Sequence, residues 1–180
     1  MAGAWACYRC SLWASCSRYN ALKTNATRQL DQLGISYELR DYEVELDDLG
    51  AIKVASQIGL PVSQVFKTLC AKANDGTIVF AVVLGDRELD LKALARLAGK
   101  RSMELVPVSQ LKQLTGYVRG GVTALAGKKN YPVYIHDSAL SYPILAVSAG
   151  VRGTQIVLAP QDYIRSTQAT SGGIARKPVK

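Results

Sequence analysis

The chain has 180 residues, which suits one domain with a sizeable core and is too short for two independent enzymes. Its 48% apolar and 20% charged residues are spread along the length, which excludes a disordered or fibrous protein. No apolar run approaches the roughly 20 residues that a membrane-spanning helix needs, and the net charge of +8 is unevenly placed.

Six acids, Glu38, Asp41, Glu43, Glu45, Asp47 and Asp48, crowd one short segment, whereas 17 basic residues face 7 acidic ones from Leu49 onward. Such a field is either a solvated surface or an attractor of polyanions, because neutralised phosphates release condensed counterions. Cys7, Cys10 and Cys16 lie in the first 16 residues and leave Cys70 alone in the body, so no disulfide framework can hold the domain. A reducing compartment, the cytoplasm, is the natural expectation.

Residues 1–22 contain arginine, serine and tryptophan but no acid, the first being Asp31. They read as an N-terminal extension, from an upstream start or as an acid-poor leader, outside the domain of residues 23–168. Cys7-Tyr8-Arg9-Cys10 has metal-like spacing without a second pair, so no metal is assigned. At Thr24 or Asn25 a helix is capped; Ala26, Leu30 and Leu33 follow its spacing and Gly34 ends it. Ile35, Tyr37, Leu39 and Tyr42 predict a strand, and residues 50–58 a second helix stopped by Gly59 and Pro61.

Two strands over residues 65–73 and 77–84 flank Asn74-Asp75-Gly76, a hairpin signal that predicts antiparallel pairing. Residues 91–98 and 108–114 predict helices, the first stopped by Gly99 and the second entered through Pro107. Residues 131–135, 144–147 and 155–158 read as strands, and Pro160 opens the last helix. Mixed helices and short strands around a hairpin indicate an α+β domain over a doubly wound parallel one. Residues 171–180, glycine-rich then basic, read as a frayed part of a C-terminal tail that begins at residue 169.

Common catalytic machinery is mostly absent. His136 is the only histidine, read as a solvent-facing strand end, so a multi-histidine metal site is excluded and a triad would depend on this one residue. Neither a Gly-x-x-x-x-Gly-Lys loop nor a Gly-x-Gly-x-x-Gly turn after a strand is present, and no cofactor is expected. Lys67, in Val65-Phe66-Lys67-Thr68-Leu69, places a cation in an apolar strand. It either snorkels to water or holds an anionic group at a pocket mouth. Gly120-Gly121 and the loop from Ser148 to Gly153 either turn the chain or bring backbone N–H groups close to a ligand.

Taken together and in order, Phe66-Lys67-Thr68-Leu69, Thr115-Gly116-Tyr117-Val118-Arg119-Gly120-Gly121 and Val147-Ser148-Ala149-Gly150-Val151-Arg152-Gly153 resemble the YbaK/ProX family of aminoacyl-tRNA deacylases. The likeness runs from about Lys23 to Ile164 and includes Ala159-Pro160-Gln161-Asp162. Within the family the chain is most similar to bacterial cysteinyl-tRNA(Pro) deacylases. The resemblance implies a single α+β domain with a mixed, mostly antiparallel, barrel-like sheet and surrounding helices.

It also implies a site: Lys67, Gly120 and Gly121 for catalysis, with Tyr42, Leu49, Thr68 and Ser148 around the substrate. Two positions depart from the family pattern, Ala149 beside Gly150 and Leu49 at an aromatic position, and both bear on the amino-acid pocket.

The activity so implied is trans-editing of cysteine misattached to proline tRNA. The substrate's own thiol would attack the ester, Lys67 would steady the terminal adenosine and its phosphate, and backbone N–H groups near Gly120-Gly121 would face the oxyanion. The implied partners are the acceptor end of aminoacylated tRNA and prolyl-tRNA synthetase, with no membrane. A deacylase for alanyl-tRNA(Pro) and a noncatalytic tRNA- or synthetase-binding module are the competing readings.

Overall fold

The computed structural model describes residues 23–45 and 50–178. The expected extension over residues 1–22, with its Cys7 and Cys10, and the substrate-side position Leu49 lie outside the described residues. Helix α1 (Asn25–Gln32) is capped by Thr24, whose hydroxyl accepts from the Thr27 amide at 3.2 Å, and it buries Ala26 and Leu30. Strand β1 (Glu38–Asp41) leads to helix α2 (Ala51–Gln57), and a 3-10 turn over Val62–Gln64 delivers the chain into β2 (Phe66–Ala73).

The β2–β3 hairpin forms as its turn residues predict: β3 (Ile78–Leu84) pairs antiparallel with β2, Gly76 adopts φ +86°, and Asp75 accepts from the Thr77 amide at 3.0 Å. Strand β4 (Glu88–Leu89) precedes α3 (Leu91–Leu97), capped by Asp90. Then come β5 (Met103–Leu105), α4 (Val108–Thr115), β6 (Val133–His136), β7 (Leu145–Ser148), β8 (Thr154–Leu158) and α5 (Pro160–Thr167).

A five-stranded mixed sheet has the order β5-β2-β3-β6 with a last strand β9 (Thr170–Gly172) beyond β6. A second, antiparallel sheet has the order β1-β8-β7. The two meet at a parallel bridge between Val65 and Ala146 and do not close into a barrel.

The five-stranded sheet is covered on both sides, which is why β3 reads as an unbroken apolar run. Phe80, Val82 and Leu84 point into a core shared with α1, α4, α5 and the second sheet, while Val79, Ala81 and Val83 point the other way, toward Leu94 of α3. A smaller cluster packs Val54, Ala55 and Ile58 of the α2 region on Val65, Ala146 and Val157.

One expectation is corrected at the C-terminus. Residues 170–176 are not frayed: β9 pairs with β6, β10 (Ala175–Arg176) pairs with β4, and Ile174 is fully buried between them. Each of these strands has two or three residues, too short for a hydrophobic period to show. His136 is corrected too. Its side chain is 18% exposed and its Nδ1 accepts from the Ser138 amide at 3.2 Å, so it caps a turn instead of facing solvent. Among the described residues, no helix is long and apolar enough to cross a membrane.

Candidate active site

Strand β2 is paired unevenly, and this creates the site. β5 pairs only with Ala71–Ala73, and the bridge to the second sheet is at Val65, so one edge of the strand is uncovered around Thr68. The Cys70 carbonyl accepts from Val106 on that edge at 3.0 Å. Strand backbone groups alternate sides, so Thr68, two residues earlier, directs its N–H and C=O to the same uncovered edge.

A cavity of about 870 Å³ opens there, walled by α2, the start of α4, the Arg119–Val122 loop and the β7–β8 sheet. Its lining brings together Tyr42, Lys67, Thr68, Gly120 and Ser148, which lie as far as 106 residues apart in the chain.

Lys67 donates from its ammonium to the Gly85 carbonyl at 3.1 Å. Burial pushes its pKa below the ordinary lysine value, and the carboxylates of Asp86 and Glu88 oppose that shift. A half-buried cation held in this way is a positioned donor and point charge at the cavity wall.

Two glycine-containing loops are clasped together at the cavity's other side. Gly121 packs against the backbone of the 148–153 loop, since an added Cβ would sit 3.3 Å from the Val151 carbonyl carbon. Arg152 donates from Nε to the Arg119 carbonyl at 2.8 Å, and the Ser148 hydroxyl accepts from the Gly150 amide at 3.3 Å. Gly120 lines the cavity with φ +86°. Of the two amides expected to face an oxyanion, that of Gly121 is engaged within the turn, donating to the Val118 carbonyl at 2.9 Å.

Gln155 completes the wall and was not singled out by sequence. It stands directly across from Ser148 in the β7–β8 ladder, on the same face, and lines the cavity. It is 6% exposed, and its amide oxygen has no partner among the described residues. The hydroxyl of Thr68, 8% exposed, meets the hydroxyl of the fully buried Tyr163. An unpaired buried polar atom is costly, and the Gln155 oxygen is placed to accept from a polar ligand in this cavity. The signal available in the sequence was one amide in the apolar run Gln155-Ile156-Val157-Leu158.

Among its described lining residues the cavity has no Asp, Glu or His. Its one thiol, Cys70, is buried and pushed up to about 11 by desolvation, so it is a poor nucleophile near neutrality. The cations Lys53, Lys67 and Arg119 line the same space. Such a lining is suited to bind and polarise an anionic or ester-bearing substrate, and it includes no carboxylate, imidazole or readily ionised thiol among these residues.

A family model described as the aminoacyl-tRNA editing domain matches residues 49–166. The chain belongs to this family. It is therefore an aminoacyl-tRNA deacylase, acting on the ester between an amino acid and its tRNA.

The deacylase is 37% identical over 155 residues, 86% of this chain and 94% of the relative, to the Enterococcus faecalis protein named "Putative Cys-tRNA(Pro)/Cys-tRNA(Cys) deacylase EbsC". It is 26% identical over 120 residues, 67% of this chain and 76% of the relative, to the uncharacterized protein YwhH of Bacillus subtilis. A solved structure described as a "putative trans-editing enzyme for prolyl tRNA synthetase" superposes with a TM-score of 0.74 at 22% identity, covering 87% of this chain and 99% of that one. At that identity the likeness is one of fold.

Proposed function

We propose that this deacylase removes cysteine from mischarged Cys-tRNA(Pro), with the substrate's thiol as the nucleophile. The observation that carries the reading is a cavity with polar, cationic walls whose described residues include no acid or histidine, and whose one thiol is held protonated.

In this reading the terminal adenosine lies against Lys67, and the aminoacyl group enters between Thr68, Ser148 and Gln155, with Tyr42 at the cavity wall. The cysteine sulfur attacks the ester carbonyl carbon, the carbon–oxygen bond to the ribose breaks, and the ribose oxygen takes up the thiol proton. The products are a cyclic thioester and free tRNA. Because attack is intramolecular, a high effective concentration replaces a protein nucleophile. The Gly120 amide and the Lys67 ammonium face the oxygen on which charge develops. The name of the Enterococcus relative supports the substrate, and the excess of basic residues after Leu49 suits the acceptor stem of the tRNA. Prolyl-tRNA synthetase is the protein partner this reading suggests.

A release panel across cysteinyl, alanyl and prolyl forms of one tRNA tests it. Fast loss of cysteine with slow loss of the other two is expected. Efficient release of alanine with slow release of cysteine would overturn the choice of substrate.

A further inference from the structure

Away from the deacylase cavity, a second groove of about 820 Å³ lies between α1, the loop over residues 124–132 and the C-terminal end of α5. Its described lining carries Arg28, Lys129 and Arg165 and no carboxylate side chain. All three cations are exposed, and they come from three separate elements. Arg28 touches the Asn25 amide oxygen at 3.4 Å, and Arg165 shares the Asp162 carboxylate at 3.0 Å from outside the groove.

Two left-handed backbone positions meet in the walls of this groove. Among the described residues, Ala126 (φ 50°) and Gln168 (φ 53°) are the two non-glycine residues with positive φ, and both line it. Gln29 joins the two walls: its amide nitrogen donates to the Ser166 carbonyl at 2.9 Å, and its amide oxygen accepts from the Ala126 N–H. Gln168 is the left-handed residue that ends α5, an ordinary helix stop, whereas Ala126 keeps its positive φ because its surroundings enforce it.

The groove and the site already described are joined by one stretch of chain. One segment lines both, through Arg119, Gly120 and Val122 in the deacylase cavity and through Ala124, Ala126 and Gly127 here. Gly120 and Ala124 are four steps apart in the chain and so at most about 14 Å apart.

We propose that the groove of Arg28, Lys129 and Arg165 binds the phosphodiester backbone of the tRNA whose aminoacyl end occupies the Lys67 cavity. The inference rests on reading that cavity as the deacylase site. Cations spread over three elements suit a run of phosphates better than one small anion. The surrounding amides, among them Gln29 and Asn130, can meet ribose hydroxyls.

The test is the double variant Arg28→Glu/Lys129→Glu, whose positions are exposed and outside the core. Binding of uncharged tRNA is followed by fluorescence anisotropy against salt. Deacylation is followed on full aminoacyl-tRNA and on aminoacylated adenosine, which is too short to reach the groove. The proposal expects tRNA affinity to fall tenfold or more, with the slope of log affinity against log salt reduced by about two. KM on full aminoacyl-tRNA should rise at unchanged kcat, and the short substrate should be unaffected. Arg28→Lys/Lys129→Arg should keep the wild-type affinity. Unchanged tRNA affinity, or an equal loss on both substrates, would overturn it. The anisotropy arm reads the groove even if the wild-type chain released neither substrate, so failure of the deacylase reading is told apart.

Discussion

Lys67 donates to the carbonyl of Gly85 at 3.1 Å, and Gly85 can hold that position only because it has no side chain. A Cβ there would lie 2.5 Å from Cβ of Ala51 and 3.1 Å from the Val65 carbonyl oxygen. The Lys67 ammonium is thus placed by close packing of α2 against the end of β3.

Gly85→Ala should therefore damage both fold and site. Overpacking of this kind costs about 1–3 kcal/mol, and each kcal/mol lowers Tm by about 2–4 °C in a chain of this size. Thermal denaturation and single-turnover deacylation should fall together, and Ala51→Gly in the same chain should restore both.

Lys67→Ala should leave Tm within a few degrees and reduce kcat/KM. A hydrogen bond from a charged group is worth about 1.5–3 kcal/mol, which corresponds to a loss of about tenfold to a hundredfold. Unchanged deacylation by the purified variant would remove Lys67 from the site.

Gln155→Leu separates binding from folding. Replacing a buried amide whose oxygen has no partner among the described residues should hold or raise Tm, because the cost of desolvating that oxygen is removed. Deacylation should nevertheless weaken. A drop in Tm with unchanged activity would show that Gln155 is a structural residue only.

Much of this arrangement was legible in the sequence. Thr24, Asn74-Asp75-Gly76, Pro107 and Pro160 act locally, through caps, turns and fixed φ, so the helices and the central hairpin could be placed from them. Lys67, Thr68, Gly120 and Ser148 could be gathered only through resemblance, since nothing local says that β7 approaches the uncovered edge of β2. Gln155 was hidden inside a buried strand, and its role depends on standing opposite Ser148 across the ladder. The strands β9 and β10 escaped because Thr170-Ser171-Gly172 is polar edge structure whose order comes from β6, not from its own composition.

Cys70→Ser should keep most of the activity, since the buried thiol, pushed up to about 11, stays protonated at neutral pH. The folded state holds this group neutral at pH values where the unfolded chain ionises it. Its contribution is thus full below about pH 8.5 and is lost as pH rises toward 11. The fall in Tm between pH 8 and pH 10.5 should be smaller in Cys70→Ser than in the wild type. Complete loss of activity at pH 7 would instead indicate an enzyme nucleophile.

The central claim is that the reacting thiol belongs to the substrate. It is tested most directly by charging one proline tRNA with cysteine or with serine, which differ by sulfur against oxygen, and measuring single-turnover release. The account predicts that cysteine leaves at least about a hundredfold faster and that the chain accumulates a cyclic thioester product. Equal rates for the two would contradict it.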